Sequence, residues 1–337
     1  MSFLFDFQDR RTYFGIGMAV LILVLPLFLN AYWTDVCVSI GLYAILALSL
    51  NVILGQAGIF HMGHAAFYAV GAYVTAILNT MFHWSIFWTV AGFAAALVAL
   101  VVARPIIHLR GDYLLIVTIG IVEIVRIALT NDIGGITGGS NGIFGIARPR
   151  FFGFRIVKSI QFYYLVWGMC GATILLFHCL WHSRIGRALN YIKEDDVAAE
   201  ACGVNVTHYK LMAFVLGAFW AGMAGTLYAA KMTTIAPASF NFMESVIIFA
   251  VVILAGGSQL GVLVSAFLFI GLPELLRGFS SARMLFFGAA MMIMMVWRPQ
   301  GLMHGLPVLQ QHWQCPRGSG ATGSLIPVRR SGHEYAS

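Results

Sequence analysis

Charge is what this sequence has least of. Only 10% of its 337 residues are Asp, Glu, Lys or Arg, and 60% are hydrophobic. A soluble globular domain carries about a quarter charged residues, so the composition excludes one. Cysteine is scarce too. The five (Cys37, Cys170, Cys179, Cys202, Cys315) form no CxxC and no metal-ligand spacing, and they read as structural. No stretch fits GxxxxGK[ST], which excludes a phosphate-binding loop for ATP in this chain. The apolar blocks lack the apolar/polar alternation of barrel strands, which argues against a membrane β-barrel. The polar start MSFLFDFQDRR runs into an apolar segment with no small-residue cleavage pattern, so the first segment is expected to stay as an anchor.

What is present is a series of nearly uncharged apolar windows of about twenty residues, the length that crosses a bilayer as helix. The expected spans are Tyr13–Leu29, Val36–Leu54, Ile59–Asn79, Ser85–Ile107, Tyr113–Thr130, Gln161–Leu180, Lys210–Ala230, Ser245–Ala255, Leu260–Leu276 and Met284–Trp297. The fold class is therefore all-α, a polytopic transmembrane bundle of ten spans, or nine if the eighth and ninth form a pair that does not fully cross. Pro26 can kink the first span. Arg10 and Arg11 place the N-terminus in the cytoplasm, and Arg104, His108, Arg110, Arg298 and Pro299 close inner ends. The net charge of +7 then reflects the positive-inside rule, not nucleic-acid binding. The membrane region covers 1–310, and the Gly/Ser-rich tail 311–337 is expected to be disordered.

Between the sixth and seventh spans lies the one long polar stretch, Trp181–Tyr209, with Arg184, Arg187, Lys193, Glu194, Asp195, Asp196 and Glu200. The acids precede VAAEACG at a plausible helix N-terminus, where they suit the dipole. Ala198, Ala199 and Ala201 favour helix, and Gly203 ends it. A charged helical segment between two spans is a handle that another protein can grip. Elsewhere, Gly55–Gly58 and Gly256–Gln259 interrupt apolar runs. Broken helices are tolerated in a membrane where the freed backbone lines a cavity. Gly55, Gly58, Gly256 and Gly257 are thus candidates for a translocation path. Glu123 and Arg126, at i,i+3 in the fifth span, can pair on one face. They serve either a polar route or a self-neutralising lock between helices. Gly217, Ala221 and Gly225 form a small-xxx-small face for a partner helix. His61 and His64 stand at a spacing that can hold a metal but lack a third ligand, so a hydrogen-bonding role is expected. The glycine-rich loop 131–160 should lie outside. No pattern calls for a cofactor.

Several stretches together carry a resemblance: RGDYLLIVTIGIVEIVRIALTN, TGGSNGI, SRIGRALNYIKEDDVAAEACGVNVTHYKLMAFVLGA, GSQLGV, LPELLR, RMLFFGAAMMIMMVWRPQGL and GQAGIFHMGHAAFYAVGAYVTAIL. From about Ile40 to Leu302 the chain resembles the branched-chain amino acid ABC transporter permeases of LivM type. That resemblance implies import of leucine, isoleucine and valine across a bacterial inner membrane. It implies pairing with a homologous second permease, two cytoplasmic ATPase subunits, a periplasmic substrate-binding protein and the lipid bilayer. It also implies that EDDVAAEACG, within a coupling loop 183–209, docks in the ATPase through Glu194, Ala198, Ala199, Glu200, Ala201 and Gly203.

Overall fold

A computed structural model describes residues 25–275 apart from 28, 83–87, 110, 133, 149, 152–153 and 156–157, together with Gly288 and Met292. The first and tenth expected spans fall largely outside these residues, and the tail falls wholly outside. Eleven α-helices occur among the described residues: α1 Ala31–Asn51, α2 His64–Phe82, α3 Trp88–Ile106, α4 Asp112–Thr130, α5 Ser159–His182, α6 Arg184–Glu194, α7 Asp196–Ala201, α8 Val206–Met232, α9 Phe242–Ala255, α10 Gln259–Ala266 and α11 Leu272–Leu275. Five apolar segments are long enough to cross a membrane: Ala31–Gln56, Asp112–Thr130, Ser159–His182, Val206–Met232 and Pro237–Ala255. The fold is the expected helical membrane bundle.

The bundle is built around α1. Its sequence is apolar on every side, and a helix of that kind is stable only when buried all round. From Ile40 to Gln56 nearly every residue is buried, with α5, α8, α9 and α10 packed around it. The helix widens at its end into a π-turn, Val52–Gln56, where Ala57 N–H donates to Val52 O.

The small-residue face of α8 meets partner helices inside this chain. A Cβ on Gly222 would stand 2.6 Å from Ala95 Cβ on α3, and one on Gly225 would stand 2.4 Å from the Tyr68 carbonyl on α2. Backbones approach this closely only where side chains are absent. The Thr75 and Thr226 hydroxyls join α2 to α8 at 2.9 Å.

Helix α2 starts five residues later than the sequence suggests. Gly58 takes a left-handed φ of +69°, which ends the preceding turn. Residues 58–63 then run without helix, and Met62 N–H is taken by the Thr118 hydroxyl of α4.

The described residues of loop 131–158 are held by specific bonds. The Asp132 carboxylate accepts from Thr137 N–H, Thr137 Oγ1–H and Gly138 N–H. These bonds, the Thr137 hydroxyl's first, hold its carboxyl below the usual range. Strand β1, Ile143–Phe144, pairs antiparallel with the strand Thr234–Ile235 that follows α8, Ile143 opposite Ile235. A hairpin, Arg150–Phe151 with Phe154–Arg155, completes the loop. The β1 pairing puts the ends of α4 and α8 together, and the polar stretch after α5 lies at the opposite end.

Candidate functional site

The polar stretch folds as two helices joined at Asp195. Ser183 caps α6 by accepting from Gly186 N–H at 3.3 Å, and the inward face of α6 buries Ala188, Leu189 and Ile192. Asp195 is extended and caps α7, its carboxylate accepting from Val197 N–H at 2.8 Å and Ala198 N–H at 3.1 Å. Asp196 pairs with Lys210 on α8, which ties the short helix to a long one. Gly203 closes α7 with φ +82°, its N–H donating to Glu200 O. That conformation is the one a C-terminal glycine supplies.

Of the residues expected to dock in a partner, Glu194, Ala198, Glu200, Ala201 and Gly203 are exposed. Ala199 is turned inward at 4% exposure and seats α7 on the chain. Val197, 65% exposed, and Cys202 complete the outward surface.

The two glycine breaks meet each other. A Cβ on Gly55 would lie 3.3 Å from Gly257 Cα, and Asn51 Nδ2–H donates to Gly257 O at 3.2 Å. Gly256 and Gly257 both take left-handed φ, +65° and +81°, so α9 stops after 14 residues. That is about 21 Å of helix, short of the roughly 30 Å hydrocarbon core. The breaks sit at the handle end of the bundle, because Lys193 of α6 donates from Nζ to Gly55 O at 2.8 Å. The handle and the breaks are one connected site.

Around this site the polar groups are not all satisfied. Asn51 Oδ1, Gln56 Oε1 and Nε2, Gln259 Nε2, His61 Nε2 and His64 Nδ1 are buried without a hydrogen-bond partner among the described residues. Buried polar atoms are nearly always paired, with protein or with water. Ser49 Oγ lies 2.7 Å from both Leu46 O and His64 Nε2, and its one proton can go to either. His61 Nδ1 accepts from Gly63 N–H, which leaves its Nε2–H a bare donor. The rings are 6.0 Å apart, centre to centre, in a T-shaped arrangement. The segment thus presents donors and acceptors without a net charge of its own.

Glu123 and Arg126 bond to each other at 2.7 Å on α4, each side chain 36% exposed. Their neighbours Ile124 and Ile127 are exposed, while Val122 turns inward onto Ala65 and Ala66 of α2. Among the described residues no group of three or more His, Cys, Asp or Glu could hold a metal.

A family described as "Branched-chain amino acid transport system / permease component" matches residues 32–295, which include the helices described above except the first residue of α1. The chain belongs to that permease family. It is 37% identical over 322 residues to the high-affinity branched-chain amino acid transport system permease protein LivM of Escherichia coli K12, covering 87% of this chain and 75% of that one. The LivM protein of Salmonella typhimurium is similar to the same extent. The LivH permease protein of Escherichia coli K12 is 26% identical over 258 residues, 69% of this chain and 81% of that one. No solved structure matches this permease.

The residues that sequence reasoning left aside in this permease are Asn51, Gln56, Lys193 and Gln259. A lone Asn at the end of an apolar span is a readable signal, since intramembrane polar groups are costly. Lys193 carries none of that kind. It is one cation among several in a polar stretch, and its partner Gly55 is 138 residues away.

Proposed function

We propose that this permease forms half of the translocation path of an ATP-driven importer in a bacterial inner membrane. Its substrates are the branched-chain amino acids leucine, isoleucine and valine. A homologous second permease supplies the other half, two cytoplasmic ATPase subunits grip the handles, and a periplasmic binding protein delivers the solute. The relatives' names and the organisms they come from support this reading. The observation that carries it is the handle itself. A capped two-helix unit, anchored by an ion pair and presenting Glu194, Ala198, Glu200, Ala201 and Gly203 outward, suits a groove on another protein better than it suits solvent.

Alternating access is the mechanism this arrangement suits. Closure of the ATPase pair displaces the handle, and the breaks at Gly55–Gly58 and Gly256–Gln259 lie next to it. An amino-acid zwitterion needs donors and acceptors for its head and apolar surface for its side chain. The unpartnered amides and imidazoles offer the first without a competing charge, and the apolar bundle offers the second. Glu123 and Arg126 join the path if their face meets water rather than lipid.

The test is purification with the candidate ATPase, comparing the intact chain with Glu200→Arg and Gly203→Arg. Both substitutions put a large cation on the exposed docking surface, and Gly203→Arg also strains a left-handed φ. Loss of co-purification or transport is expected. Normal binding and transport by both variants would instead favour a gradient-driven transporter that needs no ATPase.

A further inference from the structure

We propose that Lys193 is a positioning residue for transport, the tether through which the handle holds the glycine break of α1. The proposal rests on the importer reading for its coupling to ATP, but the tether itself is a property of this chain.

The last carbonyls of a helix have no donor within it. At the end of α1 the next amides are already committed, Ala57 N–H to Val52 O and Ile59 N–H to Ile53 O. The carbonyl of Gly55 is met instead by Lys193 Nζ at 2.8 Å, a cation at a helix C-terminus where the dipole favours it. The contact is shaped as well as charged. A Cβ on Gly58 would lie 3.1 Å from Lys193 Cγ, so the lysine stem lies along Gly58, where a side chain would press on it and strain a φ of +69°. Behind Gly55 stands Gly257, bonded through Asn51, so the second break follows the first.

Lys193 is also held at a fixed phase. Ile192 and Leu189 beside it are buried, and Gly186 is pressed against the Leu180 and Trp181 carbonyls at the start of α6. Helix α6 therefore carries Lys193 with it as it moves. Displacement of the handle withdraws Nζ from Gly55 and leaves a carbonyl without its donor at the joint between two broken helices. The position of the handle and the closure of the breaks are thus one linked equilibrium.

Two variants separate this from a merely structural role. Lys193→Met keeps the stem over Gly58 and removes the donor, and Lys193→Arg keeps a donor. In the full-length subunit in nanodiscs, hydrogen exchange across 52–60 should be faster by roughly tenfold in Lys193→Met, the size expected when a buried carbonyl loses its partner. Exchange across 196–203 should not change, and Lys193→Arg should restore protection at 52–60. In proteoliposomes holding the second permease and the ATPase, supplied with the binding protein, Lys193→Met should still hydrolyse ATP but move roughly tenfold less leucine per ATP. Unchanged exchange at 52–60 overturns the tether, as does a proportional fall of hydrolysis and transport. If the intact chain binds no ATPase, the importer reading fails, and the exchange measurement still decides the tether.

Discussion

Glu123 and Arg126 show how a single pair can be assigned by measurement. Each is the other's partner at 2.7 Å, on a face that also exposes Ile124 and Ile127. Removing one partner leaves an uncompensated charge at membrane depth, whereas removing both leaves none. In thermal unfolding of the solubilised protein, Glu123→Ala should lower Tm more than the Glu123→Ala/Arg126→Ala pair. Transport decides the role. A double variant that transports normally makes the pair a lock, and one that stays inactive though stable makes it part of the route. The pair was legible in the sequence because its spacing is local. So was the small-residue face of α8, whose partners turned out to be α2 and α3 of the same chain. Asn51 with Gly257 and Lys193 with Gly55 were not, because nothing local marks a contact made across the fold.

At the scale of elements, the polar stretch was readable as a helical handle but not as two helices. The division depends on one extended residue, Asp195, whose carboxylate is spent on the next helix's amides. The run of acids looked like dipole compensation alone. In the fold they divide the work, Asp195 capping α7 and Asp196 holding Lys210. The start of α2 was misplaced because hydropathy does not register a left-handed glycine. The loop after α4 was readable as glycine-rich and polar, but its order comes from Asp132. A carboxyl held below its usual range stabilises the loop above the unfolded pKa of about 3.9 and ceases to do so as pH falls through the lower folded value. Asp132→Asn should therefore speed amide exchange at Thr137 and Gly138 at neutral pH, and the difference between the two proteins should shrink under acid. A difference that persists at low pH would assign the order to the glycine turns instead.

For the whole molecule, the apolar windows announced a helical membrane bundle, and the described helices form one. The handle lies at one end, the β1 pairing at the other. Cys202, exposed at the end of α7, makes sidedness measurable. With Cys179 and Cys315 replaced by Ser, a membrane-impermeant maleimide should label it in inside-out vesicles and not in right-side-out ones, and Cys202→Ser should then lose the signal. Labelling from the opposite face would invert the topology read from Arg10, Arg11 and Arg104.

The two ends of the bundle are joined by different kinds of bond. Far from the handle, β1 pairs with the strand after α8, Ile146 N–H donates to Thr233 O at 3.1 Å, and Ala147 N–H donates to Asn79 Oδ1 at 2.7 Å. Main-chain amides thus bind the ends of α2, α4 and α8 to a common knot. At the handle the joints are side chains and glycines. A bundle so built is stiffer at its β1 end than at the handle, and a push on the handle is expected to be taken up first by the side-chain and glycine joints beside it.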